Sequence, residues 1–149
     1  MNIYLLRHGQ TNLNRYGKYQ GSVDKDINDL GIRQAELLGR RIKEYNIEAI
    51  YSSDLKRVIQ TSEIINKYIN TGIVVREELR EIDMGEWDTL SLEERYINHK
   101  NYANEWAKHT ENLPYPKGEC GADVYKRASI VIDEILGKGY NKVAVVTSF

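Results

Sequence analysis

Arg7 and His8, side by side in Leu5-Leu6-Arg7-His8-Gly9, have the most chemistry to offer in this sequence. A neutral imidazole nitrogen is a competent nucleophile toward phosphorus and can carry a phosphoryl group covalently. An arginine fork matches two phosphate oxygens at once and spreads positive charge over the developing transition state. Arg57 offers a second fork, and the amide N–H groups opening its helix offer a further anion site. Gly9 lets the backbone approach a phosphate without a Cβ in the way. Glu81, in Leu79-Arg80-Glu81-Ile82-Asp83, is a carboxylic acid that can protonate a leaving oxygen and later activate water, if its surroundings raise its pKa. These are the parts of phosphoryl transfer without a metal. On spacing alone the blander alternative stays open, in which His8 is structural and Arg57 a solvated surface charge.

Elements that must position these groups are legible in the hydrophobic pattern. Ile3 to Leu6 reads as a buried strand opening into a loop at Arg7-His8-Gly9. Residues 9 to 29 are polar, glycine-dotted and aperiodic, a long loop of the kind that carries function. Ala35, Leu38, Ile42 and Tyr45 share a helical face between Leu30 and Tyr45. Glu48 to Tyr51 is a second strand, after which Ser52 or Ser53 caps a helix through Leu55, Val58, Ile59, Ser62 and Ile65. Gly72 breaks that pattern before a third strand, Ile73-Val74-Val75. Residues 86 to 117 predict helix plus loop, with Trp87 and Trp106 as packing residues or a substrate wall. Val124, Ala128, Val131 and Ile135 restore a helical face, which Gly137 and Gly139 end. Val143 to Val146 is a fourth apolar strand. Strands alternating with helices predict a single α/β domain over 1–149, with a mainly parallel central sheet between helical layers. Arg7, His8, Arg57, Glu81, Thr147 and Ser148 each follow a strand, so they gather at the carboxyl edge of that sheet, where ligand crevices form.

Composition narrows the partners. Lys and Arg number 21 against 22 Asp and Glu, a net charge of -1, which gives no global attraction to nucleic acid or anionic membrane. No apolar run approaches the roughly 20 residues needed to span a bilayer, and the N-terminal apolar run is too short for a secretory signal. Cys120 is the only cysteine, so no intramolecular disulfide forms and a reducing cytoplasm is the expected home. No His-x-x-x-His or Cys-x-x-Cys pair suggests a zinc site, and no metal or other cofactor is expected. His99 and His109 read as surface imidazoles.

The run Leu6-Arg7-His8-Gly9-Gln10-Thr11, followed by Asn14, resembles the signature of the histidine phosphatase superfamily, also called phosphoglycerate-mutase-like. Gln20-Gly21 with Asp29 to Ala35, then Ser53 to Thr61, Leu79-Arg80-Glu81 with Gly85, and Pro116-Lys117-Gly118-Glu119 resemble later blocks of that family, in order. The resemblance implies a three-layer α/β/α fold. It implies His8 as nucleophile and Glu81 as proton donor, with Arg7 and Arg57 forming the phosphate pocket. Phosphate contacts from Asn14, Gln20 and Gly21 are also implied. The short stretch between Glu81 and Gly118 resembles the small phosphatases more than the mutases. The Trp106 region and the Gly-Glu block resemble alpha-ribazole phosphatases most.

One position departs from that pattern. The family's fourth strand ends in a second histidine followed by glycine, and here Ser148 and Phe149 stand in those places. A serine donates a hydrogen bond but brings no positive charge, so reduced activity is expected. Because the family's chains usually continue further, the sequence reads as a C-terminally shortened or frame-altered form of a longer enzyme, in preference to a natural short member with a weakened site. A chain ending on a buried strand would leave a sheet edge or apolar surface uncovered, which makes a homodimer the expectation. The leading expectation is a phosphatase acting on a small phosphorylated metabolite. The alternatives are a mutase that returns the phosphoryl group to its substrate, and a non-catalytic phosphate-binding protein.

Overall fold

The computed structural model of the protein describes residues 1–148. Four strands, β1 (Asn2–Arg7), β2 (Ala49–Ser52), β3 (Gly72–Val75) and β4 (Lys142–Thr147), form one sheet in the order β1-β4-β2-β3. Every pairing is parallel, with Leu5 opposite Val145 and Tyr51 opposite the same residue on the other side. Parallel neighbours require crossovers. These are supplied by α1 (Asn12–Arg15) and α2 (Asp29–Ile42), by α3 (Lys56–Ile69), and by α4 (Leu92–Trp106) with α5 (Gly121–Gly137).

Alternation along β4 shows how the layers are built. Ala144 and Val146 face a core shared with Ile42 of α2 and with Val58 and Ile65 of α3. Val143 and Val145 face a second core shared with Val131 and Ile135 of α5. All four side chains are buried, which is why β4 reads as an unbroken apolar run. The result is the three-layer α/β/α architecture with a parallel central sheet. A smaller third cluster, built on Met84, Trp87, Ala103 and Tyr115 with Trp106 against it, lies between the β3 exit and α4. Trp87 is a packing residue there, 1% exposed and edge-on to Trp106, Tyr102 and Tyr115.

Local predictions need three corrections. The 9–29 loop contains a one-turn helix, α1, because Thr11 and Asn14 make a reciprocal capping box that substitutes Asn for the usual Glu or Gln. Neither Ser52 nor Ser53 caps α3. Its N-cap is Leu55, without a side-chain bond, and the Lys56 N–H is donated to Asp24 at 2.7 Å. Gly72 opens β3 instead of ending the helix, which stops at Asn70 in the left-handed region (φ 57°). β4 lies between β1 and β2, and the sheet edges are β1 and β3.

Candidate active site

All four strand exits point to one end of the sheet, so the backbone brings the charged residues together before any side-chain contact is considered. His8 follows β1 directly, and its N–H is donated to the Thr147 carbonyl at 3.0 Å, which continues the β1–β4 ladder one step past the strand. The His8 side chain is buried, 8% exposed. Its Nδ1 lies 2.7 Å from the Gly9 carbonyl oxygen. A carbonyl only accepts, so the bond places the hydrogen on Nδ1 and leaves the Nε2 lone pair free. Burial lowers the His8 pKa from 6.5 to about 4, aided by the charges of Arg57 and Arg7 and opposed by the bond to Gly9. The imidazole is therefore neutral at physiological pH, the form a nucleophile needs.

Gly9 does more than clear space for a ligand. A Cβ there would stand 2.5 Å from the Gly31 carbonyl oxygen, so the absence of a side chain lets the His8 loop pack on the first turn of α2. The Gly9 N–H is donated to Thr61 Oγ1 of α3 at 3.0 Å, and the Thr61 hydroxyl is donated to the Arg57 carbonyl at 2.7 Å. Thr61 thus links the nucleophile loop to the helix that carries Arg57.

Arg57 is fully buried in the first turn of α3. Its Nη1 is donated to the Val23 carbonyl at 2.9 Å and its Nη2 to the Gly21 carbonyl at 2.8 Å. Weaker contacts of Nη2 reach the Gln20 carbonyl and Ser148 Oγ, each at 3.4 Å. The guanidinium therefore tethers the 20–23 loop and meets the end of β4. Its Nε is buried without a partner among the described residues. The anion site expected at the start of α3 is partly occupied from within, by the Asp24 carboxylate at the Lys56 amide.

Glu81 lies between β3 and α4, and burial raises its pKa above the ordinary glutamate value. The Ile82 N–H, donated to Glu81 Oε1 at 2.8 Å, and the charges of Arg57, Arg127 and Arg7 act in the opposite direction without overcoming it. A cavity of about 520 Å³ is lined by Arg7, His8, Asn14, Gln20 and Glu81, together with Lys18, Tyr19 and Tyr115. A second cavity of about 340 Å³ opens on the α2 side of His8, between Gln10, Asn14, Gln34 and Thr61. Five of the eight residues singled out from the sequence thus face one space. Arg57 and Ser148 are not among its lining residues and contact each other. Gly21 serves through its backbone: its carbonyl accepts from Arg57 and its N–H is donated to Asp88 at 2.5 Å.

Several supporting roles escaped the sequence reading. Thr61 orders the nucleophile loop, and Asp88 holds Gly21 and Ser22. Thr147 donates its hydroxyl to the Leu79 carbonyl at 2.6 Å, tying β4 to the Glu81 segment. Arg127 of α5 reaches the same segment from the other side, bonding the carbonyls of Glu78, Arg80 and Glu81 and both carboxylate oxygens of Glu119. Thr61 and Glu119 carried a cue only as members of family-like blocks, and Thr147 only by following the fourth strand. An arginine on an amphipathic helix gives no sequence signal of this kind.

Comparison with known proteins agrees with the geometry. The family model described as "Histidine phosphatase superfamily (branch 1)" matches residues 3–148. Phosphoserine phosphatase 1 of Hydrogenobacter thermophilus is 30% identical over 146 residues, which cover 98% of this chain and 69% of that protein. The mycobacterial glucosyl-3-phosphoglycerate phosphatase Rv2419c, solved in complex with VO3, superposes with a TM-score of 0.88 at 25% identity, over 97% of this chain and 73% of that one. The alpha-ribazole phosphatase of Shigella flexneri superposes with a TM-score of 0.90 over 99% of this chain and 74% of that one, a likeness of fold at 21% identity. No described helix is long and apolar enough to cross a membrane. With the family's pattern running from strand to strand and its fold reproduced, the chain belongs to the histidine phosphatase superfamily, a group of phosphatases and phosphoryl-transferring mutases.

Proposed function

We propose that the protein is a metal-independent phosphomonoesterase that acts on a small phosphorylated metabolite in the cytoplasm, through a phosphohistidine at His8. The observation that carries this reading is the state of His8: buried, neutral, and with Nδ1 engaged so that Nε2 is the free nitrogen. In the first step the Nε2 lone pair forms a bond to phosphorus as the ester P–O bond breaks. The Glu81 carboxyl gives its proton to the departing oxygen. In the second step water attacks phosphorus, Glu81 takes up a proton from it, and the P–N bond breaks to release phosphate and neutral His8. Arg7 and Arg57 supply the positive charge that the transferring group requires, with Asn14, Gln20 and Gly21 shaping the phosphate site. Ser148 offers that site a hydroxyl where a second cation would stabilise the transition state better, so turnover is slow. The relatives named for phosphoserine and for a glucosyl phosphoglycerate support a small ester as substrate and leave its identity open.

Incubation with a generic phosphate ester followed by mass spectrometry tests the reading. A phosphoryl adduct is expected on His8 and on no residue of His8→Asn. Discharge of the trapped adduct by water alone identifies a phosphatase, whereas discharge only by the dephosphorylated substrate identifies a mutase. Absence of any adduct over prolonged incubation would leave a phosphate-binding protein.

A further inference from the structure

We infer that Arg127 is a positioning residue for Glu81, holding the acid-bearing segment rigid from the face opposite His8; this rests on the reading of Glu81 as proton donor. Residues 80 to 84 have no regular secondary structure, so no helix or sheet ladder fixes them. Their frame comes from elsewhere. Arg127 Nη1 is donated to the carbonyls of Glu78 and Arg80, both at 2.7 Å. Its Nη2 reaches the Glu81 carbonyl at 3.1 Å. The remaining carbonyl, that of Leu79, is taken by the Thr147 hydroxyl. Four consecutive carbonyl oxygens, 78 to 81, are thus held by side chains of α5 and β4.

The guanidinium is itself held. Nε and Nη2 are each 2.9 Å from an oxygen of Glu119, a bidentate pair. All five N–H donors of an arginine therefore have acceptors here. Glu119 extends the frame by one residue more: Oε2 accepts the Asp83 N–H at 2.9 Å, and the Glu119 N–H is donated to the Asp83 carbonyl at 2.8 Å. Arg127 and Glu119 line a cleft with Glu78 and Arg80, whereas His8 lies in the cavity on the other side of the segment; Glu81 borders both. Arg127 touches no group expected to react, so its contribution passes through Glu81. A lysine offers three donors from one point and cannot reproduce the pattern.

Leaving-group chemistry provides the test. 4-Nitrophenolate departs without protonation, whereas the serine alkoxide of O-phosphoserine needs a proton. Glu81→Gln sets the reference, with a loss of about 10²-fold or more on O-phosphoserine and little change in the first-turnover burst from 4-nitrophenyl phosphate. Arg127→Met and Arg127→Lys are expected to reproduce that split, with at least a tenfold loss on O-phosphoserine and a burst within about threefold of wild type. Adding Arg127→Met to Glu81→Gln should cost little more, because both act on one proton transfer. Equal losses on the two esters would mark Arg127 as merely structural and overturn the inference, as would no loss on either. If Arg127→Met fails to fold, the lysine variant, which keeps the charge and the stem, decides by the same two rates. If Glu81→Gln itself shows no split, the assignment of Glu81 as acid falls and the inference falls with it. A split in Glu81→Gln that is absent from both Arg127 variants refutes the positioning role alone.

Discussion

Protonation of His8 should be visible in the stability of the fold, independently of any turnover. The imidazole titrates near 4 in the folded chain and near 6.5 when exposed, because burial and the Arg57 and Arg7 charges disfavour the cation. Between those values the unfolded chain binds a proton that the folded chain does not, so stability rises with pH across that window and falls on acidification. Linkage between the two pKa values gives a loss of about 2 kcal/mol by pH 5 and about 3 kcal/mol by pH 4, relative to neutral pH. Carboxylates also titrate in this range, so the measurement is a difference. Urea unfolding of wild type and His8→Asn, at half-unit steps from pH 7.5 to 4, isolates the contribution of one imidazole. The wild-type curve should fall below that of the variant by about 3 kcal/mol over the range. Parallel curves would show that His8 is not buried as a neutral base, and the case for its nucleophilicity would lose its footing.

The remaining predictions concern the groups around it. Arg57→Ala leaves the Gly21 carbonyl without its donor and the Val23 carbonyl with Gln20 Nε2 alone, and should cost roughly 1–3 kcal/mol in denaturant unfolding, besides weakening phosphate binding. Glu81 acts protonated in the first step and its pKa is raised, so phosphorylation of His8 by an alkyl ester should decline as pH rises through a value above that of an ordinary glutamate; Glu81→Gln should abolish this alkaline limb in single-turnover kinetics. Ser148→His restores a cation beside Arg57 and should raise turnover at least tenfold, given that one transition-state donor is worth about 10²–10³ in kcat. Unchanged turnover in that variant would show that Ser148 is not the weak point of the site.

Much of the fold was legible because its signals are local or periodic. β4 is apolar on both faces, α2 and α5 carry stripes, and strand exits mark where a parallel sheet gathers its charged loops. His8 and Arg57 could be proposed for the same reason, since each directly follows a strand or opens a helix after one. What the sequence concealed is contact over long separations. Thr61 reaches Gly9 across 52 positions, Asp24 caps a helix 32 positions away, and Arg127 spans nearly 50 positions to the Glu81 segment. Side chains of these kinds are usually solvated, and only the folded backbone reveals their partners. Strand order was hidden on the same ground: it is a property of crossovers, and periodicity along one strand carries no trace of its neighbours.

That strand order also governs how the molecule comes together. β1 and β2 do not touch each other, and both pair with β4, which follows them by about 90 to 140 positions. Helices α2 and α3 can associate early, but β1 has no strand partner until residues 142–147 arrive, and the sheet cannot close before then. Loop closures that long make folding slow and cooperative and leave two apolar strands exposed meanwhile. Because His8 leaves β1 and Arg57 follows β2, β4 sets the strand spacing between the nucleophile and its cation, alongside the Thr61 link to Gly9. Closure of the sheet and the final spacing of the phosphate site are therefore coupled through one strand.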